Sequence, residues 1–279
     1  MSIAATAPAD ELQSNAVDGE TTPPHGAAGE QTHDGGEGTD TATVAALVAD
    51  GWRVVALDAC ADDPDVSYAQ ATPADLDTVV VAGAGAVTGV VADVRDQAAL
   101  DEVIDGLGVL HALVTCAGVA TGGGPMWKVT DAEWEAAIGI NLTGTFNAVR
   151  AAVPLIANGG RVVAVASAAG SLGLRHMGPY AAAKHGVIGL IRSLAADLAG
   201  TGTTANIVSP GSTATAPLDA SAAIYGLDSV DDFARHQEPL GRLIDPAEVA
   251  AAIAWLCSPV ASAITGAVVP VDGGMTATP

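Results

Sequence analysis

The stretch "TATVAALVADGWRVVALD", from Thr41 to Asp58, joins a helix pattern directly to a strand pattern. In its first half, Val44, Leu47 and Val48 recur at the spacing that places them on one face of a helix. Gly51 then follows as a residue type that commonly ends helices. The second half, "WRVVAL", is a short apolar run typical of strands buried on both faces. A helix that leads directly into a buried strand indicates an α/β fold.

The same alternation continues to the end of the chain. The later apolar segments are "AVTGVVADV", "LHALVT", "RVVAVAS", "TANIVS" and "GAVVPVD". One predicted helix has Asp96 as its N-cap, and another begins at the capping box of Thr130 and Glu133 and continues through Arg150 to Ile156. The longest, "PYAAAKHGVIGLIRSLAADLAG", ends at Gly200. Strands alternating with helices predict one parallel sheet covered on both faces, and 279 residues suit a single large domain.

Residues 1–40 differ in composition from the rest of the chain. They contain eight acidic residues, no Lys or Arg, and many Gly, Pro, Thr and Ala residues. No apolar run of strand length stands out among them. Such a segment buries too little apolar surface to offset the entropy lost on ordering. We therefore expect residues 1–40 to be disordered and residues 41–279 to form the domain.

Charge and cysteine content exclude several classes of function. The net charge of -22 makes nucleic acid and anionic membranes unfavourable partners. Cys60, Cys116 and Cys257 are scattered and show no metal-ligand spacing, so we expect a reducing, cytoplasmic location and no metal site. No apolar run reaches the roughly 18 residues of a membrane helix, and no secretory signal is recognised.

Four residues have the chemistry of a proton-transfer site. Tyr180 and Lys184 are four residues apart on one helix face, where an ammonium group would favour the phenolate and lower the tyrosine pKa. Ser167 ends a strand, at the edge where parallel sheets bind ligands. Asn141 stands within a predicted helix despite its modest helix propensity. The alternatives are a half-buried Tyr beside a solvated Lys, and an Asn that is exposed or locally bonded.

At this spacing the four residues resemble the catalytic tetrad of the short-chain dehydrogenases/reductases. Three other segments also resemble motifs of that family: "TCAG" at Thr115–Gly118, "SPGSTAT" at Ser209–Thr215 and "PVDGG" at Pro270–Gly274. Three blocks are similar to the mycofactocin-coupled members: "GWRVVALDACADDPDVSYAQATPADLD", "YGLDSVDDFARHQEPLGRL" and "AAIAWLCSPVASAITGAVVPVDGG". The resemblance implies a Rossmann-type, doubly wound parallel sheet in a single domain.

The resemblance also implies an activity. Tyr180 would be the general acid/base, and Lys184 would lower its pKa and bond the nicotinamide ribose. Ser167 would orient the substrate oxygen, and Asn141 would hold a water in the proton relay to Lys184. The reaction would be NAD-dependent interconversion of a secondary alcohol and a ketone. A homotetramer built on the two long helices from Asp131 and Tyr180 is implied, with mycofactocin as the electron acceptor that recycles a tightly held NAD.

The cofactor-binding residues follow from strand ends and from the resemblance. A carboxylate at Asp58 can accept bonds from the adenosine hydroxyls and would repel a 2'-phosphate, which favours NAD over NADP. Asp93 and Val94 match the pair that contacts adenine. Asp58 and Asp93 can equally be turn residues. The resemblance further assigns cofactor contacts to Gly38, Cys116, Ala117, Gly118, Pro210, Gly211, Thr213 and Thr215, together with Tyr180 and Lys184.

Cys116 stands where the family usually has Asn. A thiol is a weak hydrogen-bond donor, so the turn is expected to be less rigid. A reactive-thiol role is the alternative, although no neighbouring base is apparent in the sequence.

The substrate is expected to meet a lid formed by residues 216–240. Its bulky candidates for substrate contact are Tyr225, Phe233 and His236, and His176 and Met177 precede the predicted catalytic tyrosine. The alternative is a small helical cap that packs on itself.

The N-terminal part of the domain departs from the family pattern. The glycine loop T-G-x-x-x-G-x-G should fall on residues 33–40, but only Gly38 matches, and Asp34 and Asp40 replace two glycines. The apolar strand that should precede the loop is replaced by "AAGEQ", so the first strand is expected to be atypical or missing.

Three interpretations of this departure remain open. An intact strand and loop were lost by a frameshift or a misassigned start. Alternatively, the chain is a degenerate member that binds NAD weakly or not at all and acts as a binding or assembly protein. In the third, Gly35, Gly36 and Gly38 form a different working turn.

Overall fold

The computed structural model describes residues 1–6, 38–237 and 239–277. Strands and helices alternate along the domain. The strands are β1 (Ser2–Thr6), β2 (Arg53–Asp58), β3 (Val87–Val91), β4 (Leu110–Thr115), β5 (Ile156–Val165), β6 (Thr204–Pro210) and β7 (Val268–Val271). The helices are α1 (Thr39–Ala49), α2 (Pro73–Ala82), α3 (Gln97–Asp105), α4 (Asp131–Ile138), α5 (Gly144–Ala152), α6 (Gly178–Asp197), α7 (Ala216–Tyr225) and α8 (Pro246–Cys257).

The seven strands form one sheet in the order β3-β2-β1-β4-β5-β6-β7. Strand pairs that do not involve β1 are parallel. Helices α1, α2 and α8 cover one face and α3, α5 and α6 cover the other, each with a core of Ala, Val, Leu and Ile side chains. The prediction of a single doubly wound domain is confirmed.

The first strand is atypical in a way that the sequence did not predict. Ser2–Thr6 lies in the centre of the sheet and runs antiparallel to both β2 and β4. Ile3 pairs with Ala56 on one side and with Val114 on the other, and it is fully buried. The prediction that residues 1–40 are disordered is therefore wrong for Ser2–Thr6. Five residues suffice because neighbours on both sides satisfy the backbone groups while small side chains fill the core. The prediction is also wrong for Thr39 and Asp40, which begin α1, and residues 7–37 lie outside the described residues.

Several helix ends agree with the sequence, and one helix does not. Asp96 caps α3 by accepting the backbone N–H groups of Ala98 and Ala99, and Thr130 and Glu133 form the predicted capping box of α4. The helix predicted to run on to Ile156 instead contains a π-helical turn at Gly139–Thr143 and ends with α5 at Ala152. A 3-10 turn with Pro154 follows, because proline cannot continue the helical hydrogen bonds.

In the part of the chain that the structure describes, none of the helices combines the length and the apolar character that crossing a membrane requires.

Candidate active site

A cleft of about 1000 Å³ opens at the carboxyl ends of the parallel strands. This is where doubly wound sheets bind ligands, and the volume is that of a site for a large ligand. Strand ends β2, β4, β5 and β6 form its floor, and the segment after β6 forms one wall. The predicted site residues that line it are Gly38, Asp58, Asp93, Val94, Cys116, Ala117, Gly118, Ser167, Met177, Tyr180, Lys184, Pro210, Gly211, Thr213, Thr215, Tyr225, Phe233 and His236. Asn141 and His176 are not among the lining residues.

Tyr180 and Ser167 meet in the middle of this cleft. Tyr180 lies in the first turn of α6, where Pro179 is one of the first helical residues and preorganises the turn. Ser167 follows β5, and its oxygen accepts the backbone N–H of Ala169 at 3.1 Å. Burial raises the pKa of the Tyr180 hydroxyl, and a hydrogen bond with Ser167 partly opposes that rise. The two hydroxyl groups are therefore close enough to hold one substrate oxygen between them.

Lys184 lies one helical turn below Tyr180 and is 4% exposed. Its Nζ donates to the carbonyl oxygen of Val165 at 3.0 Å and lies 5.7 Å from the centroid of the Tyr180 ring. Burial lowers the pKa of Lys184 to about 8. The expectation that Lys184 lowers the Tyr180 pKa is wrong for this structure. The Lys184 ammonium lies near the ring and not at the hydroxyl, so burial of the hydroxyl dominates and raises the Tyr180 pKa.

Asn141 is fully buried in the π-helical turn. Its Oδ1 accepts the backbone N–H of Val119 at 3.1 Å, and its Nδ2 donates to the carbonyl oxygens of Val119 and Ala137 at 3.0 and 2.8 Å. The side-chain amide thus fixes the turn after β4. A Cβ on Gly118 would lie 2.7 Å from Asn141 Oδ1 and 3.1 Å from Lys184 Nζ. A Cβ at position 118 would therefore displace one of these two groups. Asn141 does not line the cleft, and its side chain positions the turn instead.

The adenosine side of the cleft contains the predicted carboxylates, both of which have partners. Asp58 Oδ1 accepts the backbone N–H of Cys60 at 2.8 Å. Asp93 accepts the backbone N–H and the guanidinium of Arg95. Burial raises the pKa of Asp93, but hydrogen bonds from Arg95 outweigh this and lower it overall. Arg95 also pairs with Asp63 at 2.5 Å, so it fixes the loop that follows β2. Sequence reasoning missed Arg95, although it stands beside the Asp93–Val94 pair.

The pyrophosphate side departs from the usual strand–turn–helix. Because β1 is antiparallel, its carboxyl end is at the opposite edge of the sheet, and within the described residues no strand leads through a tight turn into α1. Residue 1 instead enters the cleft, where the Met1 ammonium lies 3.1 Å from Asp58 and 3.4 Å from Asp40. Burial lowers the pKa of this ammonium, but the two carboxylates outweigh it and raise the pKa to about 10. Gly38 remains as the N-cap of α1.

Cys116 begins the turn after β4, between these two sides. Burial raises the pKa of its thiol to about 12, so the thiol is protonated near neutral pH. That argues against the reactive-thiol alternative, because the thiolate is the reactive form.

The loop after β6 is held by a residue that the sequence did not reveal. Gln237 is fully buried, and its amide accepts the N–H of Ser212 at 3.0 Å and donates to the Ser212 carbonyl at 3.1 Å. It also donates to the carbonyl of Arg242 at 2.9 Å. A Cβ on Gly211 would lie 2.3 Å from Gln237 Oε1. The loop and the end of the lid segment are therefore one hydrogen-bonded unit.

The lid segment contains α7 and a 3-10 helix at Val230–Gln237. The rings of Tyr225 and Phe233 pack edge to face at 5.9 Å, and Phe233 lies 5.9 Å from His236. The Tyr225 hydroxyl donates to the carbonyl oxygen of Arg175 at 2.8 Å. The segment thus packs on itself, as the alternative describes, and three of its rings line the cleft.

Met177 and His176, just before Tyr180, behave differently. Met177 is 3% exposed and lines the cleft. His176 has a φ of 63° and lies outside the lining, with its carbonyl accepting the N–H of Gly123 at 3.0 Å. Tyr68, which sequence reasoning missed, lines the cleft, and its hydroxyl oxygen accepts the N–H of Ala120 at 3.0 Å.

The residues present fit a nicotinamide dinucleotide unevenly. At the end where the nicotinamide is expected, Gly118 lies against Lys184 and Gly211 lies in the loop after β6, and neither position has space for a Cβ. Glycine at such positions lets the backbone approach a ligand closely. At the adenosine end, Asp58 can accept hydroxyl hydrogens. Between them, Gly38 is the described residue of the expected glycine loop that remains a glycine, and the N-terminus of α1 is an anion-binding group.

Comparisons with known proteins agree with this geometry. A family model described as enoyl-(acyl carrier protein) reductase matches residues 38–276. An uncharacterised NAD-dependent oxidoreductase of Mycobacterium tuberculosis is 36% identical over 250 residues, covering 82% of this chain and 88% of the relative.

Two solved structures are also similar to this chain. The carveol dehydrogenase of Mycobacterium avium in complex with NAD has a TM-score of 0.80 and 30% identity, covering 88% of this chain and 96% of its own. A short-chain dehydrogenase of Mycobacterium paratuberculosis bound to NAD has a TM-score of 0.76 and 28% identity, with the same coverage. NAD is the cofactor that these comparisons indicate.

Proposed function

We propose that this chain, which belongs to the short-chain dehydrogenase/reductase family of oxidoreductases, interconverts a secondary alcohol and its ketone with NAD. The observation that carries the proposal is the meeting of Ser167, Tyr180 and Lys184 in one cleft at the carboxyl edge of the sheet. Two hydroxyl groups beside a buried ammonium suit a reaction in which one substrate oxygen gains or loses a proton.

The residues have separate tasks in this reaction. The cofactor, when bound, accepts or supplies the hydride. Tyr180 takes the hydroxyl proton as the alcohol is oxidised and returns it as the ketone is reduced. Ser167 holds the same oxygen. Lys184 has to turn from the Val165 carbonyl toward the tyrosine hydroxyl, where its charge would lower the raised pKa of Tyr180.

Asp58 selects the cofactor in this proposal. Its carboxylate ends β2 at the cleft and can accept hydrogen bonds from the adenosine hydroxyls. A 2'-phosphate would bring further negative charge beside two carboxylates, Asp58 and Asp40, which share the single Met1 ammonium as a counter-charge, so NADP is disfavoured. Asp93 and Val94 would line the adenine, and Pro210 and Thr213 the nicotinamide.

The substrate lid comprises residues 216–240 in this proposal. Tyr225, Phe233 and His236 would contact the substrate together with Met177, since all four line the cleft. Asn141 and His176 do not line the cleft and would act by holding the backbone around it.

We infer a homotetramer and mycofactocin coupling as finer parts of this function. Trp134 on α4 and Phe146 on α5 are 45% and 42% exposed, which supports a contact between copies along these helices and α6. Sedimentation velocity tests the assembly, and a monomer at micromolar concentration would exclude it.

For mycofactocin, the support is the resemblance of three sequence blocks. Release of NADH into solution after each turnover would argue against the coupling.

Calorimetric titration of the purified chain with NAD and NADH tests the function itself. Binding at micromolar concentration, with NADH formed from a panel of secondary alcohols, is the expected result. The antiparallel β1, together with Asp34 and Asp40 at two glycine positions of the family loop, favours one alternative, a binding or assembly protein on an enzyme fold. Absence of binding to both nucleotides, in a folded protein, would favour that alternative.

A further inference from the structure

The N-terminus of α1 is occupied by a carboxylate of the chain itself. Asp40 is the second residue of the helix, and its Oδ1 accepts the backbone N–H of Thr41 at 2.9 Å. The same oxygen lies 2.3 Å from the point where Gly38 would carry a Cβ. The carboxylate therefore folds back over the helix end and uses one of its free N–H groups.

This position is also where the cleft needs to receive an anion. Gly38, Thr39, Asp40 and Thr41 all line the cleft that contains Asp58 and Tyr180. The free N–H groups and the dipole of a helix N-terminus favour the pyrophosphate of a dinucleotide. With β1 antiparallel, no strand of the described residues leads through a glycine turn that would add further N–H groups here. The carboxylate and a bound pyrophosphate would therefore compete for the same donors and repel one another, while the Met1 ammonium, 3.4 Å from Asp40, offsets part of that repulsion.

We propose that Asp40 is an internal anion that competes with the pyrophosphate of NAD at the N-terminus of α1 and thereby limits the affinity for the dinucleotide. The inference rests on the proposed function for the identity of the ligand. A carboxylate in the first turn of a helix commonly has only a stabilising role. Asp40 differs because its side chain is 29% exposed and lines the cleft that the cofactor would enter.

The test is affinity measured by calorimetry on the full chain, with three probes. NAD and ADP-ribose both contain the pyrophosphate, whereas adenosine does not. For Asp40→Asn we expect NAD and ADP-ribose to bind about tenfold more tightly than to the unchanged protein, with adenosine unaffected. The gain should shrink at high salt, because the repulsion is screened there. Asp40→Ser removes the same charge and carries the test if the Asn variant folds poorly.

Asp50→Asn is the matched control. Asp50 is the exposed C-cap of the same helix, so this change removes an equal charge at the far end of α1. We expect it to leave the affinity for all three probes unchanged. Circular dichroism and the thermal midpoint verify that each variant is folded.

The outcomes separate this inference from the proposed function. If the unchanged protein binds NAD and the Asp40 variants bind it no more tightly, the role of Asp40 is wrong and the proposed function stands. If neither the unchanged protein nor the variants bind NAD, both are wrong. If the variants gain affinity but no alcohol is oxidised, the Asp40 inference holds and the proposed activity fails. A similar gain in affinity for adenosine would overturn the Asp40 inference, because the effect would not depend on the pyrophosphate. A similar gain for Asp50→Asn would also overturn it, because the effect would not depend on the position of the charge.

Discussion

At the scale of single residues, burial determines the chemistry of the cleft. Tyr180 and Lys184 were predicted to form a pair in which the ammonium lowers the phenol pKa. Burial acts on both groups and favours their neutral forms, so the Tyr180 pKa is raised and the Lys184 pKa falls to about 8. Spacing along a helix places two residues on one face, but it does not determine how far each group is removed from water.

The first residue-scale prediction concerns Tyr180→Phe. The ring remains, while the hydroxyl that exchanges a proton with the substrate is lost. We expect kcat to fall at least about 100-fold, as is usual for the loss of a general acid/base. NAD affinity, measured by calorimetry, should fall by no more than a few-fold for the loss of one cofactor contact, and the circular dichroism spectrum should be unchanged. Activity within a few-fold of the unchanged protein would contradict the proposed mechanism.

The second concerns Lys184→Met and the pH dependence of stability. The Lys184 pKa is about 8 in the folded protein and near 10.5 when exposed, so between these values the unfolded chain binds more protons. As the pH increases through this window, the free energy of unfolding of the unchanged protein should therefore rise relative to that of the Met variant. The total rise is about 3 kcal/mol, at 1.4 kcal/mol for each pKa unit. Urea titrations at pH 7, 8, 9 and 10 measure it, and a constant difference would exclude a lowered pKa.

At the scale of elements, the sequence predicted where helices start, but it did not predict hydrogen bonds between residues that are far apart in the chain. The capping box of Thr130 and Glu133 uses only neighbouring residues, so the sequence located it. The π-helical turn at Gly139–Thr143 accompanies the bonds of Asn141 to Val119, which is 22 residues away, so no local sequence pattern predicts it. Gln237 was missed for the same reason, since its partner Ser212 is 25 residues away.

The element-scale prediction concerns Gln237→Met. This change keeps the length of the side chain but removes three hydrogen bonds between the lid segment and the loop after β6. A buried backbone group that loses its partner costs about 1–3 kcal/mol of folding free energy. The loop after β6 should therefore move so that these backbone groups can bond to water. We expect the KM for NAD to rise about tenfold with a smaller change in kcat, together with a lower thermal midpoint. Gln97→Met on α3 is the control, and an equal effect of the two changes would contradict a role specific to the loop.

At the scale of the whole molecule, the central strand is the feature that decides stability. Ile3 in β1 is fully buried and packs in the core cluster that also contains Leu47 and Val114. A segment of five residues thus joins the two halves of the sheet. Loss of its packing would affect β2 and β4 together.

The whole-molecule prediction concerns Ile3→Ala. We expect the free energy of unfolding to fall by about 2–5 kcal/mol, as for other buried Ile truncations. Val81→Ala is the control, since Val81 is 79% exposed on α2 and should change stability by no more than about 0.5 kcal/mol. Urea denaturation measures both variants. An equally small effect of Ile3→Ala would show that β1 does not occupy the centre of the sheet.

The sequence by itself determined the alternating helices and strands, the strand-end position of Asp58 and the helix face shared by Tyr180 and Lys184. These features follow from local periodicity, because helix and strand spacings place side chains without reference to distant residues. Only the tertiary structure decided that Ser2–Thr6 fills the centre of the sheet in the antiparallel direction. That strand has no local signal of its own, since its hydrogen bonds and burial come from β2 and β4, more than 45 residues away.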